Sequence, residues 1–559
     1  MKMFSVQIVK TLCCAAMTAV VIGCDGGNLT EYQQQIDAEV HDIIDRKWSG
    51  RMGQKASYSM TEAGTDQALY ELEDMLGDRG VLALPQAVTL ATEYNRQYQQ
   101  EKELLYLQAL DLTVVRHAYE ANPFSTGRAE YVYDEGDEAA AADLATGFTR
   151  LLSDGTRITT SVALAWANLA SGSDGISGVF DASVFKPLLR GSDPLVVLEP
   201  LTQAERDTIY QLRSFNRFRK EQVVAVFTLY FQALQQLDRV RNAEENYKKL
   251  RNLYTTMQKR AEVGRFEKLE LQQAEQDVIQ ARDILIQERK DYEDAVDALK
   301  LFLNVPPTVE FKLDADQLAA ISTEESVTFT EAQAISAAME LRLDLANARD
   351  RVEDARRKVV VAADAVRAEL NIAAGGQAGT ESLAGLSSEE LVSVGLELDL
   401  PLDRTDEKAA WRASLITLNQ QKRAQAELED VIAAQVRQAY RDMVEAGQLY
   451  STQVESLELA DERFEHTSML QQYDRASTRD VLDAQEDYLD AQDRATEARV
   501  QFLLAKLRFY RDAGVMQIRP DGMWQLGAEG TEAANDQPDV ESYIDEWMRR
   551  RRSSRQKEL

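Results

Sequence analysis

The side chains able to do chemistry are few and scattered. Only three histidines occur in 559 residues, His41, His117 and His466, and they are far apart in the chain. No cysteine or carboxylate spacing joins them into the close cluster that a metal site requires. Acidic residues are so abundant, 94 against 63 lysines and arginines, that neighbouring carboxylates arise by chance, mostly on solvated helix faces. The sequence therefore predicts no metal, no cofactor and no catalytic site, and the net charge of −31 argues against a nucleic-acid partner.

One cysteine has an informative position. An apolar run from Leu12 to Gly23, too short for a stable membrane-spanning helix, precedes Cys24 and is typical of a secretory signal. The sequence Val-Ile-Gly-Cys at its end resembles a bacterial lipobox, in which Cys24 would be acylated as the first mature residue. This predicts a lipoprotein signal peptide over residues 1–23; an ordinary signal cut elsewhere is the alternative. In some bacteria an aspartate such as Asp25 retains lipoproteins at the inner membrane, which leaves the destination open.

The elements that organise the chain are long helices that occur twice. An apolar seam at alternating steps of three and four predicts a helix before Phe302, and the same seam returns 210 residues later. The seam of the first copy is Leu271, Ala274, Val278, Ala281, Leu285, Glu288, Tyr292, Ala295, Leu299 and Phe302. Because ten positions rarely stay in phase by chance, we interpret the pattern as an internal duplication of a helical hairpin. The predicted turns lie near Gly264 and Asp474.

Between the helices of each copy the apolar period changes from 3.6 to 2. This predicts four strands, each with one apolar and one polar face, at about 156–169, 178–188, 367–374 and 392–402. Four strands are too few to close a barrel, and an open sheet would expose its edges. We therefore expect several copies of the chain to pool their strands. A small soluble sheet that caps a helical bundle is the alternative.

The remaining segments complete a mainly α-helical organisation with a small β part. A polar N-terminal extension is predicted over 24–81, a first structural repeat over 82–310 and a second over 327–516. A charged C-terminal tail, flexible by composition, follows over 517–559. The first repeat carries about 35 extra residues, which fit the acidic, Gly- and Ala-rich stretch 125–151. The sequence indicates no role for that stretch.

Four short phrases resemble the TolC-type outer-membrane efflux family. Phe-Lys-Pro-Leu-Leu-Arg-Gly at 185–191 is similar to a strand-to-helix phrase of that family, with Lys186 in place of glutamine. Gly-Leu-Glu-Leu-Asp-Leu-Pro at 395–401 resembles its second such phrase, and Asp-Val-Leu-Asp-Ala-Gln at 480–485 resembles the helix after its second tip turn. Leu-Asn-Val-Pro at 303–306 is similar to the end of the first half. The order and spacing of the phrases carry the resemblance, which covers residues 82 to 516.

The resemblance implies a homotrimer in the outer membrane. Four strands per chain would make a twelve-stranded β-barrel, continued by a helical tunnel in the periplasm. Such proteins are exit ducts of tripartite efflux or type I secretion systems, and they work with a periplasmic adaptor and an inner-membrane transporter. The expected function is passive export, with outer-membrane lipid around the barrel and a lipid anchor at Cys24.

Two groups of residues are candidate sites on this interpretation. Alternation directs Glu397 and Asp399 into the barrel lumen, where an acidic ring favours cations; a hydrated wall without selectivity is the alternative. The tips that would meet the adaptor are Gly264, Arg265, Asp474, Arg475 and Ser477. The competing explanation for each tip residue is turn chemistry alone, and Asp474 stands where the family usually has glycine.

Two other classes of protein compete with the channel. A lipid-anchored periplasmic adaptor predicts one helical hairpin and a β-rich body, whereas this sequence predicts two hairpins in register. A lipid-anchored coiled-coil scaffold without a pore shares the hairpins, and only a conductance measurement separates it from a channel.

Overall fold

The structure is a computed structural model. It describes residues 29–49, 80–134, 137–168, 174–262, 268–319, 330–380, 388–400, 402–473, 475–519 and 524–526, with six single residues between 52 and 76. The predicted signal peptide with Cys24, and most of the predicted C-terminal tail, lie outside these residues. Gly264, Arg265 and Asp474 of the predicted tips also lie outside them.

The two halves of the chain share a series of two helices, strands of the sheet and a long helical hairpin. The first half contains α1 (Leu29–Lys47), β1 (Val81–Leu82), α2 (Leu84–Tyr94), α3 (Arg96–His117), β2 (Asn122–Asp134), β3 (Asp137–Leu151), β4 (Arg157–Asn168), β5 (Asp174–Pro187), α4 (Pro194–Val197), α5 (Glu199–Glu262) and α6 (Lys268–Phe302). The second half contains β6 (Lys312–Leu313), α7 (Asp316–Ala319), α8 (Glu331–Leu341), α9 (Leu343–Ala365), β7 (Glu369–Thr380), β8 (Ser388–Asp399), α10 (Thr405–Gln472), α11 (Thr478–Asp512), β9 (Met516–Ile518) and β10 (Trp524–Leu526).

The long hairpins α5–α6 and α10–α11 repeat in the register that the sequence predicts. Helices α6 and α11 both have 35 residues, and their first residues, Lys268 and Thr478, are 210 positions apart. Their seams match in burial: Ala274, Ala281, Leu285 and Leu299 are buried in α6, and so are Ala484, Ala491, Ala495 and Phe509 in α11. At about 1.5 Å per residue, the 64 residues of α5 and the 68 of α10 give helices of roughly 100 Å. Helices of this length need partners along their flanks, which the hairpins supply.

The largest hydrophobic core lies where the two hairpins meet the short helices α2 and α8. Its members include Phe227 and Tyr230 of α5, Leu299 of α6, Val436 of α10 and Phe509 of α11. Burying one such side chain contributes about 1.5–3 kcal/mol, so this cluster holds the two halves together. The buried Tyr230 hydroxyl is also satisfied, because it donates to the carbonyl oxygen of Leu82 at 2.9 Å.

The largest sheet among the described residues has six antiparallel strands, in the order β2-β3-β4-β5-β7-β8. The sequence predicted four strands per chain, and that number is wrong: the stretch 125–151, interpreted as an insertion without a role, forms β2 and β3. Alanine, glycine and aspartate dominate this stretch and have low strand propensity, so no alternation marked it. Pairing along the whole length of β4 overrides that propensity, with twelve residue pairs from Ala140↔Asn168 to Leu151↔Arg157.

None of the helices in the described ranges combines the length and the apolar composition needed to cross a bilayer.

Candidate functional site

One face of the six-stranded sheet carries almost all of its large exposed hydrophobic side chains. Residues directly opposite each other in an antiparallel pair lie on the same face, so the pairing traces each face across the sheet. Leu396 of β8 pairs with Ile372 of β7, and Val162 of β4 pairs with Phe180 of β5 and Thr146 of β3. The exposed large hydrophobic side chains on this face are Tyr131, Leu144, Phe148, Val162, Leu164, Phe180, Val184, Val392, Val394, Leu396 and Leu398. Among the described side chains of the sheet, Leu391 is the one large exposed hydrophobic residue on the other face.

The opposite face is polar and carries the predicted lumen residues. Glu397 pairs with Asn371, and Asp399 pairs with Glu369, on the face opposite to Leu396 and Leu398. The Asn371 side chain donates to the Glu369 carboxylate at 2.9 Å. The structure therefore brings Glu397 and Asp399 together with a third carboxylate where β7 and β8 meet the helices, as alternation predicted for the first two. Glu369 was not among the predicted site residues, although its position in the same alternating pattern could have indicated it.

An ion pair joins strand β5 to the turn between β3 and β4. Lys186, which stands in place of the family's glutamine, pairs with Asp154 at 2.9 Å, and Asp154 lies in the turn between β3 and β4. Hydrogen bonds from Lys186 and Thr156 lower the pKa of Asp154 to about 2, although some burial opposes them. On the neighbouring junction, the backbone N–H of Gly191 donates to Asp364 at 2.7 Å. Lys186 is thus held by an ion pair to the turn between β3 and β4.

The second hairpin tip is closed by a capping box. The Asp480 backbone N–H donates to Ser477 Oγ at 3.2 Å, and Ser477 donates from its own backbone N–H to Asp480 Oδ2 at 2.9 Å. These bonds satisfy orphan donors at the start of α11. The Ser477 hydroxyl, which donates to Asp480 Oδ2 at 2.7 Å, and the Ser477 backbone N–H together lower the pKa of the Asp480 carboxyl. Arg475 lies two residues earlier, and its backbone N–H donates to the Leu470 carbonyl oxygen at 3.0 Å. Of the predicted tip residues, Arg475 and Ser477 are therefore adjacent at one tip, and turn chemistry accounts for Ser477.

Polar bonds hold the two halves together between the core and the tips. Asn242 of α5 donates to Asp493 of α11 at 2.6 Å, and Gln485 of α11 donates to Asn246 of α5 at 2.7 Å. Arg239 pairs with Glu497 at 2.9 Å, a little nearer the core. The sequence prediction missed this polar ladder, because it searched the seams for apolar residues.

Asp493 is the member of the polar ladder whose pKa is shifted by its surroundings. Burial raises the pKa of its carboxyl to about 6, and the nearby Asp238 and Glu288 add to the rise. The hydrogen bond from Asn242 and the charge of Arg239 oppose it. Asp493 therefore titrates at a higher pH than an ordinary surface carboxylate.

The predicted histidines do not come together. His41 lies in α1, His117 ends α3, and His466 lies near the far end of α10. Within the described ranges, no group of three or more histidine, cysteine and acidic residues could hold a metal ion.

Comparison with known proteins identifies the fold through structure alone. No family model matches the chain. No curated protein matches it either. Among solved structures, the open state of the Neisseria gonorrhoeae MtrE outer membrane channel is similar with a TM-score of 0.58 and 12% identity, over 77% of this chain and 88% of that chain. The Campylobacter jejuni CmeC outer membrane channel gives a TM-score of 0.57 and 12% identity, over 89% and 94%.

A third similar structure is CusC, described in connection with folding and transmembrane channel formation. It gives a TM-score of 0.54 and 14% identity, over 77% of this chain and 92% of that chain. At these identities the likeness concerns the fold, and the resemblance drawn from the four short phrases is confirmed at that level. The chain has the fold of the TolC-type outer-membrane channels.

Proposed function

We propose that this protein is the outer-membrane exit duct of a tripartite efflux or type I secretion system. Three copies pool their sheets into a β-barrel, with the apolar faces against lipid and the polar faces around a lumen. The paired long hairpins continue the barrel as a periplasmic tunnel. Substrate delivered by an inner-membrane transporter through a periplasmic adaptor passes along this tunnel, and no bond is made or broken.

The observation that carries the proposal is the two-faced sheet at the end of the long hairpins. Eleven large apolar side chains are exposed on one face, and no described helix packs over them. A soluble sheet that capped a helical bundle would bury such a face, because exposing it to water costs about 25 cal/mol per Å² of apolar surface. Lipid removes that cost, and closure of the sheet removes the unpaired backbone groups at its edges.

Three finer assignments belong to the same proposal. Acylation of Cys24 would anchor the chain to the membrane in which its barrel lies. The tips, with Arg475 and Ser477 at the second hairpin and Gly264, Arg265 and Asp474 in the turns, would meet the adaptor through helix-to-helix contacts. Glu397 and Asp399 in the lumen would favour cations.

Purified full-length protein in lipid tests the proposal. Native mass spectrometry should give a trimer, and planar bilayers should show stepwise conductance. Val394→Arg, which places a charge in the middle of the apolar face of β8, should abolish insertion, because a cation facing lipid near the bilayer centre costs about 2–4 kcal/mol per copy.

Ser393→Arg is the matched control. Ser393 is the chain neighbour of Val394 but lies on the polar face, so the same new charge is placed on the other side of the sheet. That variant should insert and conduct. Absence of channel events at any voltage or pH from a correctly folded trimer would favour the lipid-anchored scaffold without a pore. Equal behaviour of the two arginine variants would contradict the assignment of the faces.

A further inference from the structure

The strand β4 has no free edge. If each half of the chain contributed two strands, β4 would be the first strand of each subunit's sheet. A twelve-stranded barrel requires this strand to pair with β8 of a neighbouring subunit. In the structure β3 occupies that edge of β4 along its whole length, with twelve residue pairs. The free edges of the sheet are β2, with 13 residues, and β8, with 12.

The strands β2, β3 and β4 fit each other closely. A Cβ atom at Gly147 of β3 would collide with the Thr160 carbonyl oxygen of β4 and lie 2.9 Å from the Phe124 ring of β2. The absence of a side chain at Gly147 thus lets β3 approach β4 while the aromatic ring covers the gap from β2. This close fit indicates that the pairing of β3 with β4 is part of the folded sheet.

The base of the added hairpin is fixed to the junction with the helices. Gly155 in the β3–β4 turn has φ +77°, and a Cβ there would lie 2.7 Å from the Pro187 ring at the end of β5. The ion pair between Asp154 and Lys186 spans the same contact. Detaching β2 and β3 from the sheet would therefore break a backbone ladder, an ion pair and a packed turn together.

The added hairpin also has the same two faces as the rest of the sheet. Tyr131, Leu144 and Phe148 extend the apolar face. The charged residues in the middle of the two strands, Arg128 and Glu130 of β2 and Asp143 of β3, lie on the polar face with Glu397. Both strands thus suit a wall with lipid on one side and water on the other.

From this geometry we infer that the barrel has eighteen strands, with β8 of each copy paired to β2 of the next copy. The inference rests on the proposed function, since it specifies how three copies of a six-stranded sheet close. Strands alternate in direction across the sheet, so β2 and β8 run in opposite directions and can form an antiparallel seam between copies. Since barrel diameter grows roughly linearly with strand number, the lumen is about one and a half times as wide as that of a twelve-stranded barrel.

Disulfide cross-linking across the seam between copies tests the inference. One cysteine replaces Gly395 in β8, where a Cβ meets no neighbouring atom. A second replaces one polar-face residue of β2 at a time, in the series Phe124, Thr126, Arg128 and Glu130. A matched series in β4 uses Thr159, Ser161, Ala163 and Ala165.

The geometry separates the two series. Disulfides need Cα atoms about 4.4–6.8 Å apart, which neighbouring strands provide. With eighteen strands, the β8 of a neighbouring copy that pairs with β2 lies three strand spacings, about 14 Å, from β4. Within one copy, β2 and β8 are five spacings, about 24 Å, apart. Cross-links in the β2 series are therefore intermolecular, and the β4 series should give none.

The expected result is dimer and trimer bands on a non-reducing gel for at least one β2 variant, with monomer bands throughout the β4 series. The chain without added cysteines is the control for Cys24. Cross-links in the β4 series, or in neither series from a preparation that native mass spectrometry shows to be trimeric, would overturn the inference and leave the export duct standing. A monomer in lipid would instead overturn the proposed function, and the eighteen-stranded barrel with it.

Discussion

The two halves of this chain agree in their helices and differ in their strands. Helices α3 and α9 have 22 and 23 residues, and α6 and α11 have 35 each. The first half nevertheless contributes four strands to the sheet and the second half contributes two. Helices that pack along their whole length constrain each other, since a change in one leaves its partner exposed. A sheet that closes by pairing can gain a hairpin, because two added strands preserve the alternation of directions.

The largest effect is expected where the halves are equivalent. Leu299 and Phe509 occupy the same seam position, 210 residues apart, and both are fully buried. We expect Phe509→Ala to cost about 3–5 kcal/mol and Leu299→Ala about 2–5 kcal/mol, through lost burial and an unfilled cavity. Denaturant unfolding of the full-length protein measures both. Leu301→Ala, at a position 68% exposed, is the control and should cost little. A large loss in only one half would break the structural equivalence.

The second prediction concerns β2 and β3, the two strands that distinguish the halves. Deleting residues 122–151 removes β2 and β3 and leaves residues 118–121 and 152–156 to join α3 to β4, a span of up to about 30 Å. Each half then contributes two strands, and the barrel should close with twelve. The cross-sectional area falls to a little under half, because diameter follows strand number.

Polymer exclusion from the barrel side of planar bilayers measures that change. The largest neutral polymer that enters the deletion variant should be about two-thirds as wide as the one that enters the parent. A trimer with an unchanged cut-off would mean that the hairpin lies outside the barrel wall.

Asp493 and Asp283 make a third comparison, since they are equivalent in the repeat but differ in surroundings. Burial raises the pKa of Asp493 to about 6, from an ordinary value of 3.8, so its charged form is disfavoured in the folded protein. The stabilising effect of the neutral form is fully present below pH 3.8 and is lost as the pH rises through 6. We expect Asp493→Asn to be about 1–3 kcal/mol more stable than the parent at pH 8 and equal to it near pH 4.

Unfolding midpoints across this range of pH provide the measurement, and Asp283→Asn, at an exposed position, provides the control. The asparagine can still accept the hydrogen bond from Asn242, so the difference isolates the charge. A variant that is less stable than the parent at pH 8 would contradict the prediction, because it would show that the charged carboxylate stabilises the folded protein.

The smallest effect is expected from the charges on the polar face. The charged side chains that the second half presents there, Glu369, Glu397 and Asp399, are acidic, whereas the first half presents both signs, including Arg128 and Glu130. Glu397→Gln with Asp399→Asn should shift the reversal potential in a salt gradient towards lower cation preference, by a few millivolts in a wide hydrated lumen. Ser393→Ala, on the same face, should leave it unchanged. An unaltered potential in the double variant would favour a wall without selectivity.

The sequence predicted the helices better than the sheet, for physical reasons. The seam of α6 and α11 depends on periodic apolar residues, which are a local signal, and burial follows it at Leu299 and Phe509. Strand β8 was predicted for the same reason, through alternation from Val392 to Leu402, and the strand itself spans Ser388–Asp399. Strand β7 extends to Thr380, beyond the predicted 374, because Gly375 and Gly376 pair with β8 without contributing an apolar face.

The strands β2 and β3 and the polar ladder could not be predicted in this way. Ala139 to Ala142 carry no alternation, and only pairing with β2 and β4 makes them a strand. Asp493 and Asn242 are polar residues on long helices, and a sequence does not show that they face each other. Of the candidate sites, alternation placed Glu397 and Asp399 on the polar face. At the tips, the sequence indicated only that Arg475 and Ser477 lie near a turn.

Electron cryomicroscopy of the full-length protein in lipid nanodiscs tests the central claim most directly. The account predicts a three-fold particle whose barrel wall contains eighteen strands, with Val394 and Leu396 facing lipid and Glu397 facing the lumen. A monomeric particle with Val394 and Leu396 packed under helices would contradict the export duct.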